Sequence, residues 1–371
     1  MPAIVDFPDF VLATQERVLT PTGKILNDAV DQKYLLRESM RNKPDDTLIQ
    51  GGTKITDRIQ LEDNGSFEFY EASEEANPTT VQTLTKVEVE WRFARSNYSW
   101  NEEEITLNEG DQKTQFKKLR KSYEQGAYTS MINGMEAASL TTPLATMESG
   151  GKQAFSLMAF FDELGVDFHW PGFTTIMGVD PAVEERWRNQ LQGYDSTQLD
   201  SNAVGVLRAF RRMFLKVEYE SPSPDQPYFE SDDLRYMKIL TNLDGMEVYQ
   251  ARLQENNDRT RRAQDPSYTS PMFSDIPLKY ITALDTQNLD QEALANSSVS
   301  QPWQTGEPRW IFWNAKYCHP VFHVRKYMTQ TPPIRGGAKL PYDWVVFWNT
   351  YYNWFMVSRQ RQGIITPKIA A

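Results

Sequence analysis

Cys318, His319 and His323 fall within six residues, in "YCHPVFHV", and a thiol beside two imidazoles is a donor set that zinc accepts. Pro320 breaks the helix that would bring an i, i+4 pair onto one face, and no second cysteine or carboxylate is spaced to close the site. We read these as strand residues near a bend and expect no metal. The "SGGKQ" of 149–153 carries the Gly-Lys pair of a phosphate loop, but Thr146 stands where the first glycine belongs and Gln153 replaces the magnesium-binding hydroxyl. With one cysteine, three histidines (His169, His319, His323) and no G-x-S-x-G elbow, nucleophilic catalysis has no anchor. His169, in "DFHWPGF", reads as a core or loop residue. Glu102, Glu103 and Glu104 place carboxylates side by side, yet at a strand-to-helix junction such a run ordinarily charges the helix N-terminus. A soluble hydrolase using these acids is the least favoured alternative. The arginines of "RAFRRM" and "NDRTRRA" could touch phosphate, but more often such charges pair with acids across an interface. No catalytic residue and no cofactor is expected.

The elements that would position such residues sit in a chain of 371 residues with 39 Lys+Arg against 50 Asp+Glu, a formal charge of −11. That balance speaks against gripping nucleic acid as the main task. A single thiol cannot form an internal disulfide, which fits synthesis in a reducing cytoplasm. The N-terminus lacks the basic-then-apolar pattern of a leader, and no window approaches the ~20 apolar residues of a membrane helix. A soluble chain is expected, with no membrane partner. Aromatic residues reach 12%, a composition shared by large cores and by surfaces that meet other proteins.

Residues 1–50 hold Pro2, Pro8, Pro21 and Pro44 with little periodicity and read as an extended arm, with a short helix around Tyr34 to Met40. "SFEFYE" at 66–71 and "TKVEVEWRFARS" at 85–96 alternate with period 2 and are predicted to form the two arms of a hairpin. Phe67 and Phe69 lie on one arm; Val87, Val89, Trp91 and Phe93 line one face of the other, opposite Lys86, Glu88, Glu90 and Arg92. The polar stretch between them, broken by Pro78, suits a protruding tip. A hairpin is marginal alone in water, so its apolar face is expected to need a neighbour to cover it. From Asp111 to about Leu140, Phe116, Leu119, Tyr123, Ala127, Met131, Met135 and Ala138 recur at steps of three and four, predicting one helix about 40 Å long. Further on, "GGKQAFSLMAFFDEL", "NAVGVLRAFRRMFLKVEY" and "DGMEVYQARLQENNDRTRRA" read as helices and "LRYMKILTN" as a strand. A polar loop over 286–308 precedes an aromatic, β-rich end. This succession has the texture of an α+β or α/β fold.

The order of these elements resembles the tailed-phage major capsid proteins of the Hong Kong 97 fold, over about residues 50–365. The stretch "SNYSWNEEEITLNEGDQKTQFKKLRKSYEQGAYTSMINGMEAA" looks like the end of that family's E-loop running into its spine helix. "TTIMGVDPAVEERWRNQL" is similar to a recurrent capsid pattern, through Gly178, Val179 and Asp180 and then Trp187, Arg188 and Asn189. The family's usual Gly-Gly pair is here Met177-Gly178. "LKYITALD", "YCHPVFHVRKYM" and "TYYNWFMVSRQRQG" resemble its strand and closing segments. The resemblance implies an N-terminal arm at 1–50, an E-loop β-hairpin with flanking strands at 51–105, and the long spine helix of the peripheral domain at 106–144. It further implies an α/β axial domain at 145–300, and peripheral-domain strands with the C-terminal segment at 301–371. It implies pentamers and hexamers closing an icosahedral shell around double-stranded DNA, which an acidic lining would touch only by non-specific proximity. In such a shell the neighbour expected to cover the hairpin's apolar face is another subunit. Some 50 residues before the first hairpin are too few for a scaffold domain as well as an arm, so a separate scaffolding protein and an uncleaved chain are expected. A portal and decoration proteins are the further partners the resemblance allows, and the location is the virion. An encapsulin-like compartment is the alternative within the same fold.

Overall fold

The computed structural model describes residues 34–36, 48–71, 83–103, 113–162, 170, 173–194, 205–220, 234–255, 271–285, 308–336 and 342–367. Most of the expected arm, the hairpin tip at 72–82, His169, Glu104, "NDRTRRA" and most of the 286–308 loop lie outside them. Two units make up the chain: among the described residues the smaller draws on Ala94–Gly134 and Met328–Thr350, and the larger on Gln32–Phe93, Met135–Tyr327 and Tyr351–Ala371. Three elements run through from one to the other: strand β4 (Arg92–Asn101), helix α1 (Lys113–Leu140) and strand β13 (Asp343–Met356).

In the smaller unit the first half of β13 pairs antiparallel with β11 (Thr329–Gln330) and β12 (Ile334–Arg335). Its core is Tyr98, Ala127 and Val346, with Trp100, Tyr123 and Trp348 packed around them. Helix α1 has 28 residues, roughly 42 Å at 1.5 Å each, as the three-and-four spacing predicts. Ala127 and Met131 repeat at four and are buried on it, and the step continues to buried Met135. Tyr128 meets the Trp348 ring at 5.5 Å, and Arg95 lies 5.3 Å over Phe347.

The larger unit holds a six-stranded sheet in the order β5 (Gln190–Tyr194), β14 (Gly363–Pro367), β9 (Trp310–Asn314), β6 (Met237–Thr241), β8 (Ile276–Tyr280), β7 (Met272–Phe273). The strand predicted in "LRYMKILTN" is β6, buried throughout. The sheet is not closed within 145–300: β9 and β14, expected among peripheral strands, occupy its middle, because both are apolar runs that only a two-sided core can cover. Helices α2 (Val206–Val217) and α3 (Leu243–Glu255) belong to the same unit, α3 crossing between the parallel strands β6 and β8. Phe210 of α2 sits among Tyr249, Phe273, Trp310 and Phe312, with ring centroids 5.0, 5.4, 5.2 and 5.5 Å away. Gly363 of β14 has no room for more, since a Cβ there would lie 2.3 Å from Met213 Sδ. Asn242 caps α3 by accepting from Gly245 N at 3.0 Å, and Asp285 accepts from Leu243 N at 2.9 Å. A second group of strands pairs β10 (Cys318–His323) with the last residues of β13 and, in parallel, with β1 (Leu48–Ile49).

Two expectations are corrected. Of the helix predicted over 150–164, the described residues 150–162 are irregular chain with one 3-10 turn, Leu157–Phe160. Residues 154–161 are buried on every side, so no amphipathic period marks them as helix or otherwise. The partner of β3 (Leu84–Glu90) is β2 (Lys54–Gln60), antiparallel from Lys54↔Glu90 to Gln60↔Leu84; residues 66–71 form no ladder. "SFEFYE" alternates well, but alternation records only which side chains share a face, and a pairing also needs a register.

Candidate functional site

Strand β3 is held on every side within the larger unit. Glu88 N donates to Met177 O (3.2 Å), Asn353 Nδ2 donates to Glu90 O (2.8 Å), and Trp91 Nε1 donates to Gly52 O (3.1 Å). Val87 is 0% exposed and Val89 and Trp91 are buried, the indole ring lying edge-on to His323 at 5.5 Å. These three residues, expected to face a neighbouring subunit, are therefore core residues of their own chain. The alternation then inverts, since Trp91 and Arg92 are both turned inward. Arg92 reaches Gly151 O at 2.5 Å and Met147 O at 2.9 Å. A turn in which Gly150 has φ 79° presents the first of these acceptors. Gly151 is packed onto Thr146, whose carbonyl oxygen would lie 2.2 Å from a Cβ, so "SGGKQ" serves as an arginine acceptor. Beyond the inversion Phe93 is thrown outward, 67% exposed, with its ring 4.4 Å from Tyr351.

The outer face of the ribbon carries Lys54, Lys86, Glu88 and Glu90. Glu88 takes Lys54 and Lys86, both at 2.6 Å, and Glu90 takes Arg92 at 3.1 Å. The hydrogen bonds from Lys54 and then Lys86 hold the Glu88 carboxyl down at about 2.

The motif positions come together inside the larger unit. Met177 and Gly178, with φ 59° and 80°, are the two central residues of a tight turn closed by Ile176 N to Val179 O (2.8 Å) and Val179 N to Ile176 O (3.3 Å). Methionine thus adopts the left-handed backbone that ordinarily favours glycine, and its side chain is fully buried. Glu148 accepts from Gly178 N (3.0 Å) and Thr175 Oγ1 (2.8 Å). Asp180 accepts from Ala182 N at 2.8 Å, and Arg188 donates to Pro181 O (2.6 Å) and Ala182 O (2.9 Å). Trp187, buried, donates to Ile176 O at 3.1 Å. Asn189 bridges both backbone groups of Asp162, at 2.9 and 3.0 Å.

Arg359 ties this set to the end of the chain. It is buried and donates to Phe160 O (3.1 and 3.0 Å), Trp187 O (2.9 Å) and Asn189 Oδ1 (3.2 Å). Burial pulls its guanidinium down to about 10 and the Asp162 carboxylate pushes it back up, so it is charged at neutral pH. One of two arginines in "SRQRQG", Arg359 gives no sequence signal of burial. Glu136 of α1 was missed as well: its buried carboxylate accepts from Leu35 N (2.5 Å) and Leu36 N (3.0 Å), anchoring the chain where the predicted Tyr34–Met40 helix begins.

The exposed apolar surface lies elsewhere. Phe67, Phe69 and Tyr70 are 82%, 92% and 78% exposed in the irregular segment after β2, with the two phenyl rings 5.1 Å apart. Leaving three adjacent large rings in water is the signature of a contact surface. Cys318 and His319 are buried in β10, the thiol pushed up by burial, while His323 Nδ1 accepts from Arg325 N at 3.2 Å. Glu102 pairs with Arg335 at 3.3 Å in the smaller unit, so it is used in packing. Among the described residues no group of three or more His, Cys, Asp or Glu is placed to hold a metal, and no helix is long and apolar enough to cross a membrane.

No family model matches the chain. No curated protein matches it either. Solved structures do. The chain is similar to the cyanophage A-1(L) capsid asymmetric unit at 14% identity and TM-score 0.54, over 94% of this chain and 99% of that one. It is similar to a Mycobacterium phage Ogopogo structure at 10% identity and TM-score 0.50, over 99% and 100%. A capsid of an empty GTA particle matches at 7% identity and TM-score 0.50, over 99% of both chains. The chain has the mixed α+β fold of Hong Kong 97-type capsid subunits, as the resemblance implies.

Proposed function

We propose that this chain is a major capsid protein, which self-assembles as pentamers and hexamers into the icosahedral shell of a tailed phage around its double-stranded DNA. The observation that carries the reading is the likeness of fold to a phage capsid subunit over nearly the whole of both chains. Within it, residues 1–50 form the arm, 51–105 the E-loop, 106–144 the spine helix, 145–300 the axial domain with two strands from 301–371, and the rest of 301–371 peripheral strands. Phe67, Phe69 and Phe93 are the E-loop residues offered to a neighbour, while Gly178, Asp180, Trp187, Arg188 and Asn189 shape the fold. The chain acts as a structural protein without catalysis, with a separate scaffolding protein, a portal and decoration proteins as partners, made in the host cytoplasm and located in the virion. Many weak copies of one contact on a closed lattice add up to a stable shell. Negative-stain microscopy of the purified chain is expected to show closed shells; a protein that stays monomeric at all concentrations would overturn the reading. Shells that enclose an enzyme and no nucleic acid would turn it to an encapsulin-like compartment.

A further inference from the structure

Helix α2 buries one face and presents Arg208, Arg211, Arg212 and Leu215 on the other, at the i, i+3, i+4 and i+7 spacing of a single exposed stripe. Among the described residues none of the three arginines has a carboxylate within ion-pair distance, although the chain holds 50 acids against 39 bases. Leu215, at their end, is 72% exposed. In the same unit, residues 62–71 ("EDNGSFEFYE") are exposed throughout and hold four acids and no base. Phe67, Phe69 and Tyr70 stand among those acids. One surface is thus basic with an apolar residue at its edge, and the other is acidic with aromatic rings.

Resting on the shell reading, we propose that the 62–71 segment of one copy docks on the exposed face of α2 in a second copy. Glu62, Glu68 and Asp63, the last of which also lies 3.8 Å from Arg186 of its own chain, meet Arg208, Arg211 and Arg212, and the phenyl rings cover Leu215. A nucleic acid would satisfy the arginines, but its phosphates offer nothing to Leu215, and three cations on a chain of charge −11 are a small footprint for a polyanion. The acidic aromatic segment satisfies both features. Because the two surfaces differ, the contact is heterologous: each copy gives its segment to one neighbour and its helix to another, the arrangement that closes into rings.

The test is a charge swap in the full chain, read by sedimentation of assembled particles, with Tm as a folding control. The triple variant Arg208→Glu, Arg211→Glu, Arg212→Glu is expected to lower the assembled fraction about tenfold, the sum of three exposed ion pairs. Adding Glu62→Lys, Asp63→Lys and Glu68→Lys is expected to restore it. As a second measurement, Phe67→Cys combined with Leu215→Cys is expected to give chains linked between subunits on mild oxidation. Wild-type shells without rescue and without the crosslink would overturn the pairing while leaving the shell reading intact. No wild-type shells would overturn both. A triple variant that assembles normally but loses affinity for a duplex oligonucleotide would overturn the pairing in favour of nucleic acid.

Discussion

Arg359 holds two stretches of backbone that sequence distance keeps apart: Phe160, with Asp162 reached through Asn189, and Trp187. Its planar guanidinium presents several N–H donors at fixed angles, and they meet carbonyls that water does not reach. Truncation leaves the Phe160 and Trp187 carbonyls short of a donor and opens a cavity. Arg359→Ala is therefore expected to destabilise the larger unit by roughly 3–5 kcal/mol in denaturant unfolding. Arg359→Lys should recover only a minor part, because an ammonium on a flexible stem cannot span the three acceptors. A loss under about 1 kcal/mol for the alanine variant would mean that the bonds are replaced by water. The neighbouring motif residues carry the same lesson. Trp187, Arg188 and Asn189 bond to backbone within the chain, so their pattern in the sequence records a turn that must be held.

At the scale of elements, the β2–β3 ribbon is fastened on its outer face by Glu88 between Lys54 and Lys86. A carboxyl held at about 2, against 4.5 unperturbed, contributes stability that is fully present above 4.5 and is lost as pH falls through about 2. Amide exchange in β3 is therefore expected to quicken between pH 4.5 and 2 in the wild type, beyond the intrinsic trend. Glu88→Gln should remove that extra acid dependence; equal profiles in the two proteins would discard the ion pairs as a fastening. What the sequence disclosed of these elements follows from what periodicity measures. Helices α1 and α2 were legible because one face of each is apolar at steps of three and four for its whole length. Strand β3 was legible by alternation, but its partner was not: β2, "KITDRIQ", buries only Ile55 fully, while the better-alternating "SFEFYE" stays in water. The large sheet was hidden for another reason, since β5 and β14 pair across more than 160 residues and nothing local marks that match. In the candidate site Phe67, Phe69 and Phe93 could be read from the sequence as exposed aromatics, whereas the packing that buries Val87, Val89 and Trp91 in their own chain, and the inward turn of Arg92 after them, have no local signal.

For the molecule as a whole, the division between core aromatics and surface aromatics decides how folding and assembly separate. Trp91 packs on His323 and donates to Gly52 within its own unit, so Trp91→Ala is expected to lower the stability of the isolated subunit by about 3–5 kcal/mol and to reduce assembly only as a consequence. Phe67 and Phe69 touch chiefly each other and solvent, so Phe67→Ala with Phe69→Ala should leave subunit stability within about 0.5 kcal/mol. Their loss should nevertheless weaken each intersubunit contact, and a shell multiplies a small loss per contact by the number of copies. The expected result is a sharp rise in the concentration needed for assembly, measured by light scattering, at an unchanged Tm. A double variant that assembles like the wild type would remove the exposed rings from the interface and leave Phe93 as the remaining aromatic candidate. One that lowers Tm instead would assign the rings to the fold of the subunit, alongside Trp91.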